Sequence, residues 1–163
     1  MNSHSTVTGL PDKKFLLTRL EQIVRGAETG QSTVIVLSIA LDRLDLIRDI
    51  AGTSGANHVV RTTAQRLSSF ANSGDMLAHI EDGEFAMVST RRSREDINSL
   101  SDQIMEILSQ VIRIGEHKFY ITASIGAVAY PDDCSDHQGL YPLSRVCLRR
   151  ACSKGRGMLH HLK

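Results

Sequence analysis

Asp42 and Asp45 stand three residues apart just after a strongly apolar run, a spacing at which two carboxylates could share acid/base work. A structural or surface role is the simpler reading of both. Glu81-Asp82-Gly83-Glu84 gathers further carboxylates, and its Asp-Gly centre reads first as a tight hairpin turn, with positive φ tolerated at both central residues. His160-His161 has the look of a metal pair, but strand neighbours face opposite sides and no third ligand is evident. His79 reads as a partly exposed strand histidine. Arg145, Arg149, Arg150, Lys154, Arg156 and Lys163 collect near the end. Such a cluster could meet phosphate, although a solvated helix face is the simpler reading.

The three cysteines, Cys134, Cys147 and Cys152, are odd in number and lack CxxC spacing. Neither a disulfide framework nor a zinc site follows, and a reducing cytoplasm fits best. With 19 Lys+Arg against 18 Asp+Glu, the chain lacks the positive field of a non-specific nucleic-acid binder. No apolar run approaches the ~18 residues needed to span a bilayer, and the polar N-terminus has no signal-peptide pattern. Membrane contact by this domain is not expected. At 163 residues the chain is of single-domain size and buries roughly 70% of the surface its unfolded form exposes.

The elements that must position these residues follow from apolar periodicity. A helix runs from about Pro11 to Glu28, then Thr33 to Leu41 is a β-branched and aliphatic run typical of a strand buried on both faces. Leu44 to about Phe70 reads as two helical pieces around a bend at Gly52-Thr53-Ser54-Gly55. MLAHI and FAMV pair as antiparallel strands around Asp82-Gly83. Ser93 opens a helix with Asp96 near its first-turn dipole. A second hairpin joins Val111–Ile114 to a strand from Lys118 to Tyr130. A helix over Leu143–Ser153 ends at Gly155, and MLHHL closes as a strand. This order gives an α/β (α+β) sandwich with a mixed or antiparallel central sheet flanked by helices.

Three segments, in order, resemble the GGDEF (diguanylate cyclase) family. Thr8-Gly9-Leu10-Pro11-Asp12-Lys13-Lys14-Phe15 is similar to its opening L-T-G-L-P-N-R-R-x-F, and Ala123-Ser124-Ile125-Gly126-Ala127 with Tyr130-Pro131-Asp132-Asp133 to its A-S-I-G-V-A-x-Y-P-x-D segment. Glu81-Asp82-Gly83-Glu84-Phe85 stands at the signature hairpin. The resemblance implies a nucleotidyl-cyclase-like fold over residues 9–163, behind a flexible leader at 1–8, within a longer multidomain protein.

In that family two GTP-loaded domains meet face to face to make cyclic di-GMP, with divalent metal offsetting triphosphate charge. By resemblance, the first metal carboxylate has become Ala40 and the second, at the third signature position, has become Gly83. Only the main-chain carbonyl of Leu41 survives. Asp82 and Glu84 are signature remnants, and moving a carboxylate by one strand position points it off the site. Asp42 matches a commonly retained family position. A phosphate lysine is replaced by Asp45 and a later one by Cys152, while Arg156 matches a phosphate-contacting position. Guanine recognition falls on Arg48 and Asn57, where an amide offers one acceptor oxygen in place of a carboxylate. The product-inhibition motif R-x-x-D corresponds to Asn72-Ser73-Gly74-Asp75, keeping Asp75 without the arginine.

These departures imply a catalytically inactive regulatory or interaction domain of bacterial cyclic di-GMP signalling, cytoplasmic and with no cofactor of its own. Its expected partners are sensor or EAL-type domains of the same protein and a GGDEF-like dimer, and not nucleic acid. Two alternatives stay open: a working diguanylate cyclase using GTP and Mg²⁺ or Mn²⁺ through displaced ligands, and a GTP-binding sensor that controls a neighbouring EAL phosphodiesterase domain.

Overall fold

The computed structural model describes residues 4–155, 157 and 159–161. Its centre is β1 (Thr33–Leu41), whose uninterrupted apolar run lies between two antiparallel neighbours, β3 (Glu84–Arg91) and β6 (Ala123–Tyr130). With β2 (Met76–Glu81) and β7 (Leu159–His161) at the edges, the five-stranded sheet runs β2-β3-β1-β6-β7. All pairings are antiparallel except β6 with β7, so the sheet is mixed, one of the two arrangements that the sequence allows.

Side-chain alternation along β1 divides the core in two. Ile35, Leu37 and Ile39 pack with Val59, Val60 and Leu67 of α2 (Leu44–Phe70) and with Ile97, Leu100 and Ile104 of α3 (Asp96–Leu108). Val34 and Val36 face the other way, onto Leu16, Leu20 and Val24 of α1 (Lys13–Gly30) and Leu140 and Cys147 of α4 (His137–Lys154). Helices therefore cover both faces.

Local chemistry sets the boundaries. Asp12 caps α1, its Oδ1 accepting from Phe15 N at 3.0 Å. The bend expected near Gly52 is a break in α2, with Gly52 at φ 75°. α4 begins at His137, earlier than the predicted Leu143, because Asp136 Oδ1 caps Gln138 N at 3.0 Å and the first turns bury Leu140 and Tyr141. Pro142 removes one helical hydrogen bond there without stopping the helix. Gly126 is dictated by packing: a Cβ on it would lie 2.2 Å from Leu148 N and 2.3 Å from Ser144 O. Only a glycine lets α4 lie this close to β6.

The second hairpin differs from expectation. β4 (Ile112–Ile114) pairs with β5 (His117–Phe119) as a separate two-stranded sheet, and the predicted Lys118–Tyr130 strand is interrupted at 120–122. The interruption has a cause: Thr122 O accepts from Asp42 N at 2.9 Å, so the chain leaves β4 to join the end of β1. Residues of the expected leader fold back on the domain. His4 bridges Pro11, and Ser5 Oγ lies 2.7 Å from His79 Nδ1. Among the described residues no helix is long and apolar enough to cross a membrane, and the three cysteines are free thiols.

Candidate functional site

Of the residues singled out by sequence, Ala40, Leu41, Asp42, Arg48, Asp82, Gly83 and Glu84 come together where β1 ends and α2 begins, beside the β2–β3 hairpin. Ala40 pairs across the sheet with Glu84 on one side and Ser124 on the other. Leu41 N donates to Gly83 O at 2.8 Å, fastening the hairpin to the strand end. Gly83 takes φ +71°, whereas Asp82 does not enter the positive-φ region, which corrects the expectation of positive φ at both turn residues. A register irregularity between His79 and Glu81 absorbs the turn on the β2 side, so one glycine suffices.

The point from which a side chain at Gly83 would project is occupied. A Cβ there would stand 2.8 Å from Leu44 Cδ2 and 3.8 Å from Leu41 Cβ. Leu44 itself is buried in the first turn of α2. Apolar matter thus fills the space beside Gly83.

Two arginines take up the hairpin's carboxylates. Arg48 of α2 pairs with Asp82, and Arg145 of α4 pairs with Glu84, with Glu81 Oε1 3.9 Å from the same guanidinium. Asp82 and Glu84 are therefore turned to opposite flanks of the hairpin. Arg145 is a residue that sequence reasoning placed on a solvated helix face; its only signal was its position in the basic cluster. Asp45 is exposed in the first turn of α2, and Cys152 is exposed in the last turn of α4. Asn57 is half-buried beyond the Gly52 break. Arg156 lies outside the described residues.

Asp42 is buried and fully engaged. Its Oδ1 accepts from Ser124 Oγ at 2.9 Å, and its Oδ2 from Thr122 Oγ1 at 2.5 Å and Gly157 N at 2.8 Å. These bonds tie together β1, the start of β6 and the chain after α4, which makes Asp42 a structural carboxylate.

A hard dication needs several oxygen ligands, and this arrangement does not suit one. Ala40 and Gly83 offer no side-chain oxygen, Leu44 fills the gap, and Asp42, Asp82 and Glu84 are committed to other donors. Among the described residues no group of three His, Cys, Asp or Glu side chains is placed to hold a metal.

His79 is buried, correcting the expectation of partial exposure. Its ring lies 5.1 Å from that of Phe85, and burial pushes its pKa down, partly offset by the Glu81 main chain and Asp82. His161 Nδ1 lies 3.2 Å from an Arg94 nitrogen.

Asp75 is also internally satisfied. It accepts from Asn72 N at 3.0 Å and from Ser89 Oγ at 2.7 Å, with Arg91 3.8 Å away. A cleft of about 650 Å³ opens beside it, lined by Arg66, Phe70, Asn72, Arg91 and Gln103. Arg91, from β3, was not identified from the sequence.

A family profile for the GGDEF domain of diguanylate cyclases matches residues 2–158. The chain is 27% identical over 153 residues to the bifunctional diguanylate cyclase/cyclic di-GMP phosphodiesterase MucR of Pseudomonas aeruginosa, covering 94% of this chain and 22% of MucR. It is 26% identical over 156 residues to the diguanylate cyclase TpbB of the same organism, covering 94% of this chain and 36% of TpbB. The solved GGDEF domain of TpbB superimposes with a TM-score of 0.93 at 24% identity, covering 98% of this chain and 94% of that one. The chain thus spans well under half the length of these curated relatives.

Proposed function

Since this chain belongs to the GGDEF domain family, we propose that it serves cyclic di-GMP signalling as a non-catalytic regulatory or interaction module. The observation that carries this reading is the closed signature hairpin. Leu44 takes the space at Gly83, and Arg48 and Arg145 neutralise Asp82 and Glu84. Phosphoryl-transfer catalysis depends on positioned charge around the triphosphate, and the charge here is consumed internally. Asp45 and Cys152, at positions that the family gives to phosphate lysines, add no positive charge. The module acts through neighbouring domains of a longer cytoplasmic protein. MucR, which joins cyclase and phosphodiesterase functions in one chain, supports an EAL-type neighbour.

The test is incubation of the purified chain with GTP and Mg²⁺ or Mn²⁺, paired with calorimetric titration of GTP. No cyclic di-GMP and no saturable heat are expected. Saturable binding without turnover would replace this reading with a nucleotide sensor. Cyclic di-GMP formed by the chain and lost in Glu84→Ala would overturn it in favour of a working cyclase.

A further inference from the structure

A cleft of about 480 Å³ opens between α1, α4 and the end of β2. Its α4 wall is built by Gln138, Tyr141, Pro142, Arg145 and Arg149, which recur at i, i+3, i+4, i+7 and i+11 and so share one face of that helix. The wall is long, since the helix rises about 16 Å from Gln138 to Arg149. The other side is formed by Lys13 and Leu17, one turn apart on α1, with Ile80 and Glu81 at the end of β2.

Three cations and one carboxylate line this cleft. Arg145 is taken by Glu84, and the lining carboxylate, Glu81, stands 3.9 Å from the same guanidinium. Lys13 and Arg149 are exposed and, among the described residues, have no carboxylate within ion-pair reach. Lys13 Nζ lies 5.6 Å from the centre of the buried Tyr141 ring, which holds the ammonium at the cleft. It also stands in the first turn of α1, where the helix dipole disfavours positive charge and no acidic residue offsets it. Two uncommitted cations on separate helices favour an anion from outside. Between them the lining is apolar, with Leu17 39% exposed and Pro142 exposed.

The backbone narrows the choice of anion. Pro142 has no N–H, so the Gln138 carbonyl, one turn earlier on the same face, lacks its helical donor and is left as an acceptor. A small inorganic anion neither spans a 16 Å wall nor donates to a carbonyl nor covers apolar side chains. An extended peptide does all three, at about 3.3 Å per residue. We infer that this cleft docks an extended acidic peptide segment of a partner protein, with carboxylates on Lys13 and Arg149 and an apolar side chain between them against Leu17 and Pro142. Such docking deepens the reading of the domain as an interaction module and rests on it. Peptide binding is measured without nucleotide, so its failure is distinct from a failure of the GTP test.

Selection of a phage-displayed random dodecapeptide library on the purified chain, followed by fluorescence anisotropy of the enriched peptides, tests this. The enriched peptides should carry Asp or Glu on both sides of an apolar residue, bind saturably, and bind more weakly as salt is raised. Lys13→Glu and Arg149→Glu should each weaken binding by about tenfold. Arg113→Glu, the same charge change at an exposed site on β4 outside the cleft, should leave it unaltered. All three positions are exposed, and thermal unfolding of each variant checks that the fold is intact. No enrichment, a consensus without acidic residues, or binding indifferent to both cleft variants would each overturn the inference. Inorganic phosphate binding in the cleft as tightly as the peptides would overturn it in favour of a small-anion site.

Discussion

Leu44 Cδ2 stands 2.8 Å from the point where a β-carbon on Gly83 would be. Placing a carboxylate there therefore meets two obstacles at once, a backbone at φ +71° and an apolar side chain already in place. Because the atom met there is the tip of a flexible side chain, Leu44 can move, at a packing cost that adds to the backbone strain. Gly83→Asp should lower stability by about 1–2 kcal/mol in urea denaturation. Adding Ala40→Asp should yield no cyclic di-GMP, and turnover by that double variant would show that the phosphate and guanine positions are more competent than their residues imply.

The two arginines that hold the hairpin are not equivalent. The Arg145–Glu84 pair has both side chains 25% exposed, whereas Asp82 opposite Arg48 is 57% exposed. Screening by water makes the outer pair the weaker one. Arg145→Ala should cost about 1 kcal/mol and Arg48→Ala under about 0.5 kcal/mol. Equal losses, measured by denaturant midpoints at one ionic strength, would contradict this ranking.

Much of the fold was legible because the apolar periods were unambiguous. Thr33–Leu41 is a continuous run that only a doubly covered strand accommodates, and the Gly52 segment announced the break in α2. What escaped notice depends on partners distant in sequence. The split of the long second-hairpin strand is enforced by Asp42 through Thr122, 80 residues away, and no local pattern encodes that. The residue types at Ala40 and Gly83, which carry no side-chain oxygen, could be read directly. Their sequel could not, because Arg145 reaches Glu84 across 61 positions and looks like any other arginine on an amphipathic helix. His79 appeared exposed for a similar reason, since the segment that covers it includes Ser5, 74 residues earlier.

Gly126 should be among the least replaceable residues. The atoms that a Cβ would strike, Leu148 N and Ser144 O, are backbone of α4 and have no rotamer to escape into. Gly126→Ala must push the helix off the sheet, disturbing the Ser38–Ser144 hydroxyl contact at 2.7 Å. A loss of about 3 kcal/mol is expected, against a gain of about 0.5–1 kcal/mol for Gly26→Ala inside α1, where no atom lies within 4 Å. Denaturation of the two variants side by side makes the comparison, and a Gly126→Ala protein as stable as the parent would show that α4 is free to shift.

His79 should make the domain sensitive to acid. Burial holds its folded-state pKa below the ordinary value of 6.5, so the packed form favours the neutral ring beside Phe85. In the unfolded chain the ring protonates near 6.5, so below that pH the unfolded state binds more protons than the folded one. The stabilising contribution is thus complete above pH 6.5 and declines as pH falls toward the lowered folded-state value, with a slope of up to about 1.4 kcal/mol per pH unit. The nearby Glu81 main chain and Asp82 oppose the shift and narrow this window without reversing its sign. Thermal unfolding of the parent and of His79→Gln between neutral and mildly acidic pH provides the measurement, since the amide can still reach Ser5 but does not titrate. The parent should lose stability on acidification faster than the variant; superimposable pH profiles would show that the histidine keeps its solution behaviour in the fold.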